Sequence, residues 1–161
     1  MSLRLEMMQV ARLAAKVLGE SAELVGNFIL AQQNPDGGFR DRKGASDLYY
    51  TAFGLDALHA LQRAMPREEA AAYLGSFGTG EDLDFVHLCC LARCWAAVGD
   101  PGQCEFQERA DAILMRLENF RSGDGGFHPM PKSKSGTAYA AFFGLGAHQD
   151  LGVSLPRPLD L

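Results

Sequence analysis

Three residues on one predicted helix have side chains that can bind a transition metal: His87, Cys90 and Cys94. Their spacing brings them towards one face of an α-helix, and imidazole and thiolate groups are the ligands that zinc prefers. The same residues fit a second interpretation, in which His87 is a hydrogen-bonded core histidine and the cysteines are small buried apolar residues. We expect the second interpretation, so no cofactor is firmly predicted and zinc is the alternative.

Seven helices are predicted to position these side chains, because long apolar-periodic segments alternate with Gly and Pro. The predicted helices cover 3–18, 21–33, 47–64, a segment beginning at 66, 82–99, 103–120 and 137–148. We predict Ser21, Asp47 or Ser46, and Asp82 or Asp84 as N-caps. No segment has the pattern of a strand.

The predicted helices are of two alternating kinds. The third, fifth and seventh are apolar on every side, whereas the fourth and sixth carry polar faces. A helix that is apolar all round is buried all round, and an amphipathic helix covers it from outside. The fold prediction is therefore all-α, with two layers of helical hairpins in an α/α barrel or an arc of one; an irregular helical bundle is the alternative.

Composition and charge limit the functional class. Hydrophobic residues make up 47% of the 161 residues, which is enough to bury a core, and no apolar run has the length of a membrane span. The net charge of −5 disfavours nucleic-acid binding. Four cysteines, two of them adjacent, do not resemble a secreted disulfide framework. We therefore expect a cytoplasmic protein.

An internal repeat divides the chain into about three units. The tetrapeptide Asp-Gly-Gly-Phe occurs at 36–39 and 124–127, and the triplet Phe-Gly-Leu follows each copy at 53–55 and 143–145. A degenerate middle unit aligns 84–91 with 47–54. Such a period is typical of arrays and closed repeat folds. We predict one domain, 1–161, with repeats at approximately 21–64, 66–99 and 103–150 and a tail at 151–161.

The residues of the repeated turn are assigned structural roles. Paired glycines let the chain reverse sharply, a glutamine (Gln32 or Gln33) can bond orphaned backbone groups, and the phenylalanine can fold back into the hairpin as a plug. The turn residues are Gln33, Gly37, Gly38, Phe39, Gly125, Gly126 and Phe127.

The stretch 28–39, FILAQQNPDGGF, resembles the repeat shared by squalene cyclases and protein prenyltransferase β subunits. The resemblance extends over most of 22–148, and Phe39 and Phe127 stand where squalene cyclases prefer tryptophan, which is closer to the prenyltransferase version. It implies an α/α toroid whose inner helices surround an aromatic-lined cavity for an isoprenoid chain. Three hairpins and a leading helix would form roughly half of such a ring, so we expect a homodimer or a second toroid-like chain as partner.

The resemblance also implies a zinc site, which this sequence does not complete. Prenyltransferases of this family hold zinc with an Asp-x-Cys pair and a later Asp-x-x-His. Here Tyr49 replaces the cysteine after Asp47, whereas Asp84 and His87 match the second element. The implied set is therefore Asp47, Asp84 and His87, without a thiolate. Squalene cyclases need Asp-x-Asp-Asp, and Asp82-Leu83-Asp84-Phe85 stops one acid short.

The isoprenoid-binding residues implied by the resemblance are aromatic and basic. Eight aromatic residues lie on the three apolar helices and could hold a prenyl chain or stabilise a cation, although each could instead be a core residue: Tyr49, Tyr50, Phe53, Phe85, Trp95, Tyr139, Phe142 and Phe143. The candidates for diphosphate recognition are Arg40, Arg42, Lys43 and Arg93. Arg93 is isolated on an apolar helix, so we expect it to pair with a buried acid such as Asp56 or to point into the cavity.

These observations favour a prenyltransferase-like repeat protein that binds an isoprenoid or a partner without a complete known catalytic site. Two alternatives remain: a divergent prenyltransferase or terpene cyclase subunit completed by another chain, and a structural interaction module.

Overall fold

The computed structural model describes residues 3–153, and of residues 3, 5, 14 and 15 only the backbone. Seven α-helices lie in this part of the chain, which confirms the all-α prediction: α1 (Leu3–Leu18), α2 (Ser21–Leu30), α3 (Leu48–Ala60), α4 (Arg67–Gly75), α5 (Phe85–Val98), α6 (Cys104–Leu117) and α7 (Ala138–Asp150). A single 3₁₀ turn, Glu118–Phe120, extends α6. Between residues 3 and 153 the only extended pairing is three isolated β-bridges.

The odd-numbered helices contact one another, and the even-numbered helices pack on them. α3 contacts α1 and α5, and α7 contacts α5 and α1, so α1, α3, α5 and α7 follow one another in a cycle. α2 packs on α1 and α3, α4 on α5, and α6 on α5 and α7. α1 is thus a neighbour of both α3 and α7. The half-ring stays a prediction.

The N-caps of α3, α5 and α7 explain where these helices begin. The Asp47 carboxylate accepts hydrogen bonds from the backbone N–H groups of Tyr49 and Tyr50, at 2.8 and 3.1 Å. Asp84 accepts from the N–H of His87 at 2.9 Å, and Thr137 from that of Ala140 at 3.1 Å. These bonds satisfy N–H groups that a helix leaves without partners.

Several predicted boundaries were wrong. Ser21 is the first helical residue of α2 rather than its cap. α2 ends at Leu30 because Gln33 already pairs with Phe39 in a bridge. α3 ends at Ala60, since Gln62 has a positive φ of 56° and its N–H bonds to the carbonyl of His59 instead of continuing the helix.

The two Asp-Gly-Gly-Phe turns have the same internal bonds. In the first, Gln33 donates to the Gly37 carbonyl at 3.0 Å, and Asp36 accepts from the Gly38 N–H at 3.0 Å. Gly37 has a φ of +92°, and a Cβ there would clash with the Glu69 carbonyl, so this position requires glycine.

In the second turn Arg121 takes the place of the glutamine and donates to the Gly125 carbonyl at 2.7 Å. Asp124 accepts from the Gly126 N–H at 3.2 Å, as Asp36 does in the first turn. Arg121 also lies over the ring of Phe127. The exchange of Gln for Arg keeps the donor, although the residue type changes.

The two motifs of each repeat, Asp-Gly-Gly-Phe and Phe-Gly-Leu, contact each other in the structure. The buried Phe39 ring lies against α3 where Gly54 leaves space, and a Cβ at Gly54 would come within 2.6 Å of that ring. Phe127 and Gly144 make the same contact on α7, also at 2.6 Å. In each unit, the glycine of Phe-Gly-Leu therefore leaves the space into which the phenylalanine of Asp-Gly-Gly-Phe packs.

Two neighbouring glycines of α7 are predicted to respond oppositely to alanine. Gly144→Ala should lower the free energy of unfolding by about 1–3 kcal/mol, because the methyl group would overlap the Phe127 ring. Gly146→Ala should raise it by up to about 1 kcal/mol, because its Cβ would have ordinary contacts at 3.7 Å and alanine favours the helix. Urea denaturation of both variants measures the two effects. Equal effects on the free energy of unfolding would contradict the contact between Gly144 and the Phe127 ring.

Candidate functional site

A cavity of about 460 Å³ lies between α1, α3, α5 and α7. Its volume is in the range of pockets that hold small-molecule ligands. Apolar side chains form most of its wall, and a few charged or polar groups interrupt it. The lining residues include Arg4, Met7, Phe53, Arg93, Phe143 and Gly146.

Small residues keep this space open. Ala57 and Ala60 on α3 and Gly146 on α7 line the cavity, so the helices contribute little side-chain volume there. Met7 and Met8 on α1 form the opposite wall. Methionine side chains are flexible and polarizable and adapt to irregular apolar shapes, so this wall suits a ligand of variable outline.

Three of the eight predicted aromatic residues line the cavity: Phe53, Phe142 and Phe143. Tyr49 packs edge-on against Phe53, with ring centroids 4.8 Å apart, and Tyr139 packs against Phe143 at the same distance. Such offset and edge contacts are the favoured geometries of aromatic pairs. The two tyrosines continue the aromatic surface from the cavity.

Tyr50 continues this surface less directly. It is exposed and its ring lies 6.2 Å from that of Tyr49. The lining residues Phe53 and Phe142 are about half exposed as well, so the aromatic surface is open to solvent on one side. An accessible aromatic surface beside a cavity is suited to ligand entry.

The remaining two predicted rings lie elsewhere in the structure. Phe85 is buried against Phe120 and Phe127, with centroid distances of 5.3 and 6.1 Å. Trp95 is buried with the Arg109 guanidinium 3.9 Å above its ring. Both belong to α5, which is apolar on all sides, so its sequence does not reveal which face meets the cavity.

Two ion pairs supply the charged groups of the cavity. Arg4 Nε donates to Asp56 Oδ1 at 2.8 Å, and Arg93 Nε donates to Asp150 Oδ2 at 3.3 Å. Arg93 thus pairs with a buried acid as predicted, but the acid is Asp150 and not Asp56, because Arg4 holds Asp56. Arg93 does line the cavity. Sequence reasoning missed Arg4, whose only signal is its place one turn before Met7 on the same helix face.

Asp47, Asp84 and His87 come together at the N-termini of α3 and α5. His87 Nδ1 lies 2.9 Å from the Asp84 carboxylate, and Nε2 lies 3.2 Å from Asp47 Oδ2. His87 thus bridges the two cap residues and links the beginning of α3 to that of α5. The sequence predicted this set of three residues but not this arrangement.

The two carboxylates raise the pKa of His87. Burial alone would lower this pKa, but hydrogen bonds and charges from Asp84 and Asp47 outweigh burial. The pKa of Asp84 is lowered: burial opposes this shift, and the hydrogen bonds from the His87 backbone and ring exceed it. The cluster is therefore most favourable when His87 is protonated and Asp84 is ionised.

The cluster does not fit a zinc ion. His87 directs its two ring nitrogens to different carboxylates, so the three groups bind one another and do not converge on one point. Within residues 3–153 no group of three or more potential ligands is arranged to hold a metal. Cys90 and Cys94 are buried, and burial raises the pKa of both thiols, so neither is a ready thiolate ligand.

The basic candidates do not form one site. Arg40, Arg42 and Lys43 are exposed in the loop before α3, and Arg40 donates to the Gln32 side chain at 3.0 Å. Arg93 instead lines the cavity from α5. The positive charges of the loop before α3 and that of Arg93 in the cavity therefore lie in different places.

No family model, curated protein or solved structure matches this chain. The resemblance to prenyltransferase and squalene cyclase repeats therefore stays a prediction made on sequence motifs. None of the helices between residues 3 and 153 has both the length and the apolar content that a membrane crossing requires.

The His87 cluster predicts a pH-dependent contribution to stability. Because its folded pKa is raised, His87 stabilises the fold fully below the ordinary value of 6.5, and this contribution is lost as the pH rises through the folded pKa. The contribution of Asp84 is present above its ordinary value of 3.8 and is lost as the pH falls through the folded pKa. His87→Gln should therefore cost more stability at pH 5.5 than at pH 8.5 in urea denaturation.

His59 supplies a control of opposite sign. Burial and the nearby Arg12 and Arg4 charges lower its pKa, so protonating it disfavours the fold below 6.5. The free energy of unfolding of His59→Gln, relative to that of the wild type, should thus be higher at pH 5.5 than at pH 8.5. The same pH trend in both variants would contradict the proposed role of the aspartates.

Proposed function

We propose that this protein binds an elongated apolar molecule of the isoprenoid class in the cavity between α1, α3, α5 and α7. The observation that carries the proposal is the cavity itself, whose wall combines three phenylalanine rings with adaptable methionines. The tyrosines that pack on Phe53 and Phe143 extend this wall. The proposal agrees with the prenyltransferase-like repeat expected from the sequence motifs.

Binding, rather than catalysis, is the activity that the chemistry of the site supports. His87 is held between two aspartates, and the buried thiols have raised pKa values, so the part of the chain that the structure describes holds no ligand set for the zinc-thiolate chemistry of the prenyltransferase resemblance. A divergent enzyme subunit would have to obtain its reacting groups from another chain. Such a subunit would still use the same cavity.

Farnesol is the probe for the proposed function. Saturating farnesol should raise the Tm of the wild type, because a ligand that binds only the folded state stabilises it by about 2.7 kcal/mol at a hundredfold excess over Kd. Gly146→Leu should abolish this shift, because the new side chain would extend from the cavity wall.

Gly75→Leu is the matched control. Gly75 is also a helical glycine, at the exposed end of α4, and a Cβ there would meet nothing within 4 Å. This variant should retain the full Tm shift. A shift that survives in Gly146→Leu would place farnesol outside the cavity and contradict the proposal.

A second candidate function, self-association, is favoured by an exposed apolar stripe on α1 and α2. Val10 and Val17 are 69% and 86% exposed, and Leu24 and Phe28 extend the stripe onto α2. Charges of both signs flank it, with Lys16 at the end of α1 and Glu20 and Glu23 at the beginning of α2. A second copy related by a two-fold axis can pair these opposite charges and cover the stripe, as the half-ring prediction also requires.

The stripe predicts that the wild type is a dimer in size-exclusion chromatography with light scattering. Val10→Glu combined with Val17→Glu should give a monomer, because two charges would be buried in the interface. Met115→Glu, at a comparably exposed apolar site on α6, should remain dimeric. A monomeric wild type would exclude self-association through this surface.

A further inference from the structure

We propose that the cavity selects an apolar molecule whose one polar group is an uncharged hydrogen-bond acceptor, such as a ketone, aldehyde or ester carbonyl. This inference rests on the proposed function and specifies the ligand class for the same cavity. It is carried by the two arginines of the cavity wall, Arg4 and Arg93, and by the way their charges are balanced.

Both arginines have hydrogen-bond donors left for a ligand. A guanidinium carries five N–H groups, and in each pair the donor to the carboxylate is Nε. In the described part of the chain, Asp56 is the one acceptor hydrogen-bonded to the Arg4 side chain, and Asp150 is the one acceptor for Arg93. The terminal N–H groups of both side chains are therefore donors that the cavity wall offers to a ligand.

Arg93 directs one of these terminal groups to the cavity wall. Its Nη2 atom lies 3.7 Å from the position that a Cβ at Gly146 would occupy, and Gly146 lines the cavity. The absence of a side chain at Gly146 leaves this guanidinium accessible from the cavity. A ligand acceptor that reaches this point would meet N–H donors in an otherwise apolar wall.

The balance of charge favours an uncharged acceptor over an anion. Each guanidinium already has a carboxylate partner, at 2.8 and 3.3 Å, so the two ion pairs together carry no net charge. A carboxylate or diphosphate entering the cavity would lose its hydration without gaining an unneutralised cation. A carbonyl group costs far less to desolvate and gains the same N–H donors.

The two guanidinium charges of the wall also disfavour amines. An ammonium group brings donors and a positive charge towards two guanidinium groups, and both nearby carboxylates, Asp56 and Asp150, are already bonded to arginine. The predicted order of affinity is therefore carbonyl first, then hydrocarbon, with carboxylate and ammonium last.

The test compares 2-octanone, octane, octanoate and octylamine, which share a similar apolar chain, by isothermal titration at pH 7. We expect 2-octanone to bind about tenfold more tightly than octane, which corresponds to about 1.4 kcal/mol for one hydrogen bond. Octanoate and octylamine should bind more weakly than octane.

Arg93→Met tests the assigned donor. It should reduce the affinity for 2-octanone about tenfold and leave that for octane unchanged, whereas the control Arg67→Met should alter neither. Arg67 lies on α4, where it donates to the Val98 carbonyl and does not line the cavity. If Arg93→Met fails to fold, the ligand order on the wild type and Arg93→Lys, which retains the charge opposite Asp150, decide the inference.

The outcomes separate this inference from the proposed function. Equal affinity for octane and 2-octanone, or tightest binding of octanoate, would overturn the acceptor inference while apolar binding stands. Failure of all four probes and of farnesol to bind the wild type would overturn the proposed function itself.

Discussion

The contact between a turn phenylalanine and a helix glycine is the constraint on which the rest of the structure depends. Phe39 and Phe127 are buried against α3 and α7 at Gly54 and Gly144, where no side chain intervenes. Because the backbone carbonyl of each phenylalanine is bonded to the N-cap residue of the helix that follows, the contact also sets where that helix begins. The Phe39 carbonyl accepts from the Asp47 N–H, and that of Phe127 from the Thr137 N–H.

The position of Asp47 then determines the cluster at the helix N-termini. Asp47 caps α3 through Oδ1 and contacts the His87 ring through Oδ2. Asp84 caps α5 and holds the other side of the same ring. One histidine thus connects two caps, and its electrostatic role is structural: it joins α3 to α5 at the end where their dipoles favour negative charge.

The cavity arises from a different part of the same helices. Alanine and glycine on α3 and α7 leave space, α1 closes it with methionines, and two ion pairs place guanidinium groups in its wall. These pairs are nearly buried, and their carboxylates neutralise charge that would otherwise be costly in an apolar setting. The result is a mostly apolar cavity wall in which each guanidinium group has a carboxylate partner.

The amino-acid sequence by itself determined the helical fold class, the repeat and most helix beginnings, because these depend on local periodicity and on capping side chains such as Asp47, Asp84 and Thr137. It also identified both halves of the phenylalanine–glycine contact, although not that they touch. Only the tertiary structure decided which face of an entirely apolar helix meets the cavity, so Phe53 lines it while Phe85 and Trp95 do not. The partners of Arg4 and Arg93 were decided in the same way, since ion pairs between distant segments depend on how the helices pack and not on local sequence.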